Sequence, residues 1–546
     1  MQDSTGAWLV AIGGQRLVTA SHTEAVSHGM TAQLLAESWA ERLRALVRVP
    51  PLQVSTTRLV VPVGEVRTIT VSGGADPYAI SVHDSDPSVT TSSMITSDRQ
   101  IKIVGNAPGS SSVMVDSDPN ASTTIRIDVR VMKYAATVDT TQSTGLTGNP
   151  ANQNVVEQAL WSAVAHGVRP DQAAAVSTYV PDKSFDSLPA NTVRTIPVVI
   201  KAAGNSLIAV SDKLDVVLNN DSVPVQQAVS LLYSNNPEQI RQTEELFGAS
   251  LQPFNSERLV YHHQNSTSRS LELHIDLINA GSRTVRIQLI PGAALVGSDP
   301  VQVGRRAGVS FLTNLRTDSG MIESIGPETT LPILVQRVVG GTTASGIIQL
   351  QQLDGPRDSA FIHIYCTEGD GDDEAIPALI HNLFDFQPMG TYAAQQGGRF
   401  SPQFLSNLTS NSFIFDNPYR DLFGKYEIGK KWLYLRLGGG DGLVSEDKKQ
   451  TLYGNYGVSY TAHVELSNPT SDAKDVVIAF AAEAGDAAGV FVINNGPLIE
   501  LDPTLNPDER IVTKIHLAPG ESQSVRVDTM PLSGSAYPAS IVVHAL

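Results

Sequence analysis

The chain has one cysteine, Cys366, in 546 residues. A single thiol excludes an intrachain disulfide framework and any CxxC zinc or redox motif. Charge is scarce as well. Asp, Glu, Lys and Arg make up 17% of the chain, against about a quarter in an average soluble protein. Ser, Thr, Asn and Gln must carry much of the polar surface, as in many exported β-rich proteins. The charge that is present is mostly acidic: 38 basic residues face 55 acidic ones, a net of −17. That balance argues against nucleic acid and anionic membrane as partners, because both reward Lys and Arg. No apolar run reaches the roughly 18 residues that a membrane-spanning helix needs. Aromatics are few, at 6%. Met1-Gln2-Asp3-Ser4-Thr5 has neither the basic nor the apolar region of a signal peptide. It reads either as the mature start of an exported chain whose signal was removed, or as a chain that never had one.

What is present is ordinary core-forming material. Hydrophobic residues are 41% and glycines number 43, which suits several buried cores. The length suggests three to five domains. Trp8–Ile12, Gly13-Gly14 and Arg16–Ala20 read as a β-hairpin, followed by a helix from about Thr31 to Arg48. Leu35, Trp39, Leu43 and Leu46 share one face of that helix, and Pro50-Pro51 ends it. This ββα unit, residues 1–52, is too small to be secure alone. Residues 53–133 alternate short strands with turn residues, as in an immunoglobulin-like β-sandwich. Residues 134–194 read as a polar linker with one helix. In it, Asn154 and Glu157 suggest a capping box, and His166 suits a helix end better than a ligand.

The rest is β-rich and carries an internal repeat. Leu273–Asn279 matches Ala462–Asn468, each an alternating strand ending in Asn and a turn. Val285–Leu289 and Val476–Phe480 follow. Ala360, Ile362 and Ile364 match Ala539, Ile541 and Val543. A duplicated sandwich is expected, one copy over 195–384 and the other over 385–546. The expected fold is therefore mainly β: tandem β-sandwich (immunoglobulin-like) domains, with a small N-terminal ββα unit and a short helical linker.

Two resemblances add to this. The order "VPVGE…ITV…PSV…IKIVGNAPGSSSVMV…IRIDVRV" within 55–132 resembles bacterial immunoglobulin-like (Big) modules of surface proteins and the N-terminal domain of pilus-assembly and secretin-type proteins. Ser234-Asn235-Asn236-Pro237-Glu238, the 271–289 stretch and Tyr453-Gly454-Asn455-Tyr456-Gly457-Val458 resemble an uncharacterised family of exported cyanobacterial proteins over about 195–546. The resemblances imply an exported, assembled β-sandwich protein. They imply no reaction.

Each chemistry-bearing cluster has a plainer reading beside it. Glu368, Asp370, Asp372, Asp373 and Glu374 crowd hard oxygens between glycines, which suits calcium. The EF-hand spacing is absent, and a solvated loop suits them equally. Asp-Ser-Asp at 84–86 and at 116–118 are smaller oxygen clusters. His262 and His263 are adjacent, so a strand would point them to opposite faces. His274 and His463 sit at equivalent repeat positions, which favours a shared packing role over two metal sites. Tyr419, Tyr426, Trp432 and Tyr434 lie in an aromatic cluster over 413–434. They suit internal packing, a subunit contact, or a platform for sugar rings. Gly438–Gly442 lacks the ending of a phosphate loop, and no GxSxG or HExxH is present. Cys366 reads as buried and inert. Sequons at Asn120, Asn220, Asn265 and Asn407 are of a kind that arises often by chance. A hydrolase assembled from distant carboxylates stays open, since chain spacing cannot show it. The leading expectation is an exported, non-enzymatic structural subunit at the cell surface or outside the cell, self-associating into an oligomer or polymer. Trp8, Leu9 and Val10 would supply an edge strand for that association. The alternative is a module that binds envelope polysaccharide. No cofactor is expected beyond calcium at the acidic loop.

Overall fold

Alternation decides the first sandwich. In the strand Thr124–Tyr134, Ile127, Val129 and Val131 are buried, while Arg126, Asp128 and Arg130 are exposed. Successive strand side chains point to opposite faces, so this pattern gives one dry face and one wet one. The computed structural model describes residues 6–12, 15–48, 50–74, 80–116, 124–181, 185–293, 296–369, 405–407, 413–446 and 449–546. The chain forms two compact units. One comprises Met1–Ala136, Ala173–Ala175 and Ala202–Val210, and the other the remainder from Thr137 to Leu546.

In the first unit, Thr124–Tyr134 pairs with Gly109–Asp116 and, in parallel, with Arg58–Pro62. Ser81–Asp84 and Leu207–Ile208 complete that sheet. The facing sheet runs Gln53–Val54, Val66–Ser72, Gln100–Gly105, Thr90–Ile95. Ile69, Ile101, Ile103, Val113, Val115 and Ile127 fill the space between them at 0% exposure. Each such side chain contributes about 1.5–3 kcal/mol when fully buried. The ββα part is present: Trp8–Ile12 pairs with Gln15–Ala20. Sequence reading missed one short helix, α1 (His22–Ser27), which opens with a reciprocal Ser21/Glu24 capping box. The Ser-x-x-Glu signature for it was present. A longer helix, α2 (Ala32–Arg48), then sets Leu35 and Ala36 against Val10 and Ala20.

The second unit is organised around an eleven-stranded sheet. Its order is Ala175–Tyr179, Val193–Ala203, Val210–Asn220, Thr141–Thr147, Gly320–Ile325, Val285–Ala293, Thr343–Asp354, Ser256–Asn265, Ala228–Ser234, Ile414–Asp416, with Gln239–Ile240 also on Ser256–Asn265. The polar stretch expected as a linker thus supplies a strand, Thr141–Thr147, to the sheet interior. Its helix, α3 (Gln153–Gly167), buries Val155, Val156, Ala159 and Leu160 completely. The capping box expected at Asn154 and Glu157 is not formed. The N-cap is Asn152, whose amide instead donates to Thr313 O and Asn314 Oδ1, at 3.3 and 3.0 Å. Those acceptors end another helix, α4 (Pro300–Leu315), so a tertiary contact took the side chain from its local role.

A second sheet, Glu245–Ser250, Ala360–Glu368, Leu271–Asn279, Thr329–Val338, covers one face of the large sheet. Leu259, Tyr261, Leu273, Ile275, Ile287, Ile348, Ile362 and Ile364 lie between them. The C-terminal sandwich has two sheets of its own. One runs Tyr419–Glu427, Ser459–Ser467, Ser522–Thr529, Asp486–Ile493, Leu498–Leu505; the other runs Leu433–Leu437, Ala539–Ala545, Lys474–Ala482, Glu509–Leu517. Its core includes Tyr460, Phe480 and Phe491, and extends to Leu231, Val260, Ile290, Phe311 and Ile347 of the large sheet and α4. Ser256–Asn265 is therefore covered on both faces, with every residue but Gln264 buried.

The internal repeat holds in part. Leu271–Asn279 and Ser459–Ser467 each precede a strand in the opposing sheet of their sandwich, as the first match expects. The second match joins strands of different standing. Ala360–Glu368 pairs with Leu271–Asn279, whereas Ala539–Ala545 pairs with Lys474–Ala482. Alternating apolar strands look alike on either sheet, which is why the sequence match misled.

Candidate functional site

The titratable side chains that sequence reading singled out are mostly built into the second unit's framework. Arg258, fully buried, lies on the face of Ser256–Asn265 that meets the C-terminal sandwich. It donates to Gly457 O at 2.6 Å, Ser459 Oγ at 3.0 Å and Gln349 Oε1 at 3.1 Å. Its guanidinium also stands 5.3 Å from the Phe311 ring centre and 5.7 Å from that of Tyr419. Every hydrogen-bonding partner is neutral, so desolvation pulls its pKa down. Gly457 meets this strand with φ +79°, and a Cβ there would sit 2.5 Å from Val260 Cγ2. Sequence reading missed Arg258; an isolated Arg in an apolar strand was the available signal.

His262 and His263 do point apart. His263 bonds Ser234 Oγ and Pro237 O, both at 2.9 Å, while His262 lies against Gly534. Burial lowers both to about pKa 4, keeping them neutral. His274 stacks on Tyr365, its direct cross-strand partner, at 4.6 Å. His463 stacks in the same way on its cross-strand partner Phe423, at 5.0 Å. The two histidines share a ring stack on a cross-strand neighbour, but His274 is buried and His463 exposed, so they do not share one place in a core. Beside His274, Tyr365 donates to Asp276 Oδ2 at 3.1 Å. Burial raises the Asp276 carboxyl to about 6, with the Tyr365 bond opposing the rise. His363, on the same face, bonds Glu245 and stacks on Tyr365. Cys366 is buried, with Sγ accepting from Glu244 N at 3.3 Å, and burial raises its pKa, which suits an inert thiol.

The aromatic cluster divides by strand parity. Tyr426 is 3% exposed, and its hydroxyl accepts from Ala545 N at 2.8 Å. Tyr419 is half-buried beside Arg258. These two belong to internal packing. Trp432 and Tyr434 are 50% and 58% exposed, because Leu433, Leu435 and Leu437 take the inward positions. The register Leu433↔Val543 places Trp432 beside His544. The indole stacks on that imidazole at 4.0 Å, and Tyr434 lies 6.4 Å from Trp432 at an interplanar angle of 28°. His544 is fixed by Glu509 Oε1 at 2.9 Å and Ala545 O at 3.0 Å. The result is an exposed pair of rings, Trp432 and Tyr434, with the buried His544 as anchored backing to the indole, which suits stacking on a sugar face. Trp8 and Val10 pack on α2, with Val10 buried; Leu9 lies on the opposite face of the hairpin.

Of the acidic loop, Glu368 is described, and it pairs with Arg269 at 3.2 Å. Asp370, Asp372, Asp373 and Glu374 lie outside the described residues, as do Gly13, Gly14, Asp118, Pro119 and Asn120. Asp84 and Asp86 use their carboxylates on Thr90, Ser92 and Ser88, closing a turn. Among the described residues no group of three or more His, Cys, Asp or Glu is arranged to hold a metal ion.

No family model matches this chain, and no curated protein does. Solved structures are similar to parts of it. Domains 4 and 5 of the S-layer protein SbsC share 20% identity over 15% of this chain and 45% of theirs, at a TM-score of 0.13. This chain therefore spans less than half of that structure. Mouse cadherin-23 EC22–24 shares 10% identity over 32% and 66%, at a TM-score of 0.14. The fibronectin(III)-like modules of Clostridium thermocellum CbhA share 11% over 32% and 98%, at 0.16. These likenesses are local, and the functional conclusion rests on the chain's own residues.

Proposed function

We propose that the protein is an exported structural subunit of a cell-surface or extracellular assembly, acting by binding to its neighbours and without catalysis. The observation that supports this most directly is the strand Ser256–Asn265, buried on both faces and joining two sandwich cores. Continuity of that kind lets force pass from one sandwich to the next without a flexible joint. The low charge content and acidic balance fit an extracellular setting. The N-terminal hairpin offers a contact for self-association: each of its strands has one edge unpaired among the described residues, and Leu17 is 51% exposed. An open strand edge can extend a neighbour's sheet. Sedimentation of the full chain tests this. Assemblies larger than one 58.2 kDa chain are expected, and Leu17→Lys should shift them toward monomer. Identical sedimentation of a monomeric wild type and the variant would contradict it.

The exposed pair Trp432 and Tyr434, backed by His544, favours a second reading, adhesion to envelope polysaccharide. Under it, Trp432→Ala with Tyr434→Ala abolishes retention on the polysaccharide while thermal stability stays within a few degrees.

A further inference from the structure

One face of the first unit departs from the acidic balance of the chain. On Thr124–Tyr134, the exposed positions Arg126, Asp128 and Arg130 follow one another on the same side. Asp128 lies directly opposite Arg58 on the parallel neighbour. On the other side it lies opposite Ser112, and Arg130 lies opposite Ser110. Three arginines therefore share this face with one aspartate. Arg126 Nε holds that carboxylate at 2.8 Å. Arg58 and Arg130 have no ion-pair partner among the described residues. Together with Val60, Ser85 and Ser111, these residues line a groove of about 600 Å³. The face thus carries a local surplus of positive charge on a chain whose net charge is −17.

We propose that this face binds an acidic polysaccharide, an extended chain bearing carboxylate or sulfate groups. Arg126 and Arg130 are four residues apart, so their Cα atoms are about 13 Å apart along the strand. A linear polymer laid along the strand meets both, with Arg58 to one side. Guanidinium forks suit planar carboxylates and sulfates, which they bind through paired N–H donors. The exposed Ser110 hydroxyl is placed to meet a sugar hydroxyl. A nucleic acid fits less well. Its duplex carries a charge about every 1.7 Å, and so dense a polyanion is opposed by the acidic remainder of the chain. The proposal requires neither the assembly nor the aromatic pair.

The test uses the full chain and three probes at 50 mM NaCl: polygalacturonate, dextran sulfate and neutral dextran. Affinity electrophoresis should show retardation by at least one acidic polymer and none by neutral dextran, with the effect falling several-fold at 300 mM NaCl. Arg58→Gln, Arg126→Gln and Arg130→Gln combined should weaken that binding at least tenfold while circular dichroism and thermal midpoint stay unchanged. Should the combined variant fail to fold, Arg58→Gln and Arg130→Gln made singly should each weaken binding at least twofold. Trp432→Ala with Tyr434→Ala should leave it within twofold. Three results would overturn the proposal: no retardation by either acidic polymer, equal retardation of folded wild type and arginine variants, or duplex DNA competing as well as polygalacturonate at equal charge. A change of mass in solution without a change in polymer binding would assign the face to contact between copies, and would likewise overturn it.

Discussion

Four asparagines perform the same task at strand ends. Asn220, Asn265, Asn279 and Asn468 are at most 3% exposed. In each, Oδ1 accepts from the backbone N–H two residues on, at 2.9–3.1 Å, closing a turn. Nδ2 donates to carbonyls that end other chain segments, for example Asn468 to Asp472 O and Leu517 O at 2.8 and 3.1 Å. Asn468→Ala leaves buried carbonyls unpaired at about 1–3 kcal/mol each, so urea unfolding should show a loss of about 2–4 kcal/mol. Asn468→Asp should be no better, since it keeps the acceptor and loses the donors. The same geometry explains two sequons. Thr267 and Ser222 serve the turns of Asn265 and Asn220, whose buried amides are closed to modification in the folded chain. The Asn-turn pattern at 279 and 468 was legible because the strands before those two residues repeat each other in sequence; no such repeat pointed to 220 and 265. Asp276 gives a prediction with a pH sign. Its folded pKa of about 6 lies above the usual 3.8. The protonated carboxyl therefore favours the fold fully below about pH 4, and that contribution is lost as pH rises through 6. Asp276→Asn, which still accepts from Tyr365, should gain on wild type by about 2–3 kcal/mol between pH 4 and pH 7. A pH-independent difference in urea midpoints would contradict this.

Among the elements, Ser256–Asn265 shows why periodicity alone underread the fold. Glu257, Arg258, His262 and His263 put polar side chains on both faces of the strand in sequence, yet all are buried. Glu257 is satisfied by Ser230 Oγ and Gln252 N, both at 2.7 Å, and burial pushes its pKa up. Glu257, Arg258 and His263 occupy dry positions because each finds a hydrogen-bond partner, and those partners come from segments up to 201 residues away. The strand Thr141–Thr147 was hidden for a related reason: its Ser, Thr and Gly composition resembles a linker until a sheet closes on both sides of it. The hairpin, α2 and five strands of the first sandwich were legible because their alternation is clean; Ser81–Asp84 and Thr90–Ile95, rich in Ser, Thr and Asp, were not read as strands. Arg258→Ala should cost about 3–5 kcal/mol, since Gly457 O and Gln349 lose a buried charged donor and a cavity remains. Limited proteolysis should then cut between the two sandwiches of the second unit at denaturant concentrations that leave wild type whole. Unchanged urea and protease resistance would remove Arg258 from the account.

For the whole molecule, strand alternation and the internal repeat supplied the mainly β class, and the low charge and the resemblances supplied the expectation of an exported protein. None of these could supply the two surfaces proposed for recognition. The aromatic pair depends on the register that brings His544 beside Trp432, and the arginine face on one that sets Arg58 beside Asp128. The central claim is that the chain is a building block whose second unit joins two sandwich cores through one shared strand, and whose function is association. Light scattering on the purified full chain, first with calcium and then with EGTA, tests it most directly. The account predicts masses several times 58.2 kDa, and a fall in EGTA would assign the 368–374 carboxylates to the assembly. A monomer of 58.2 kDa under both conditions, across the micromolar range, would contradict the claim.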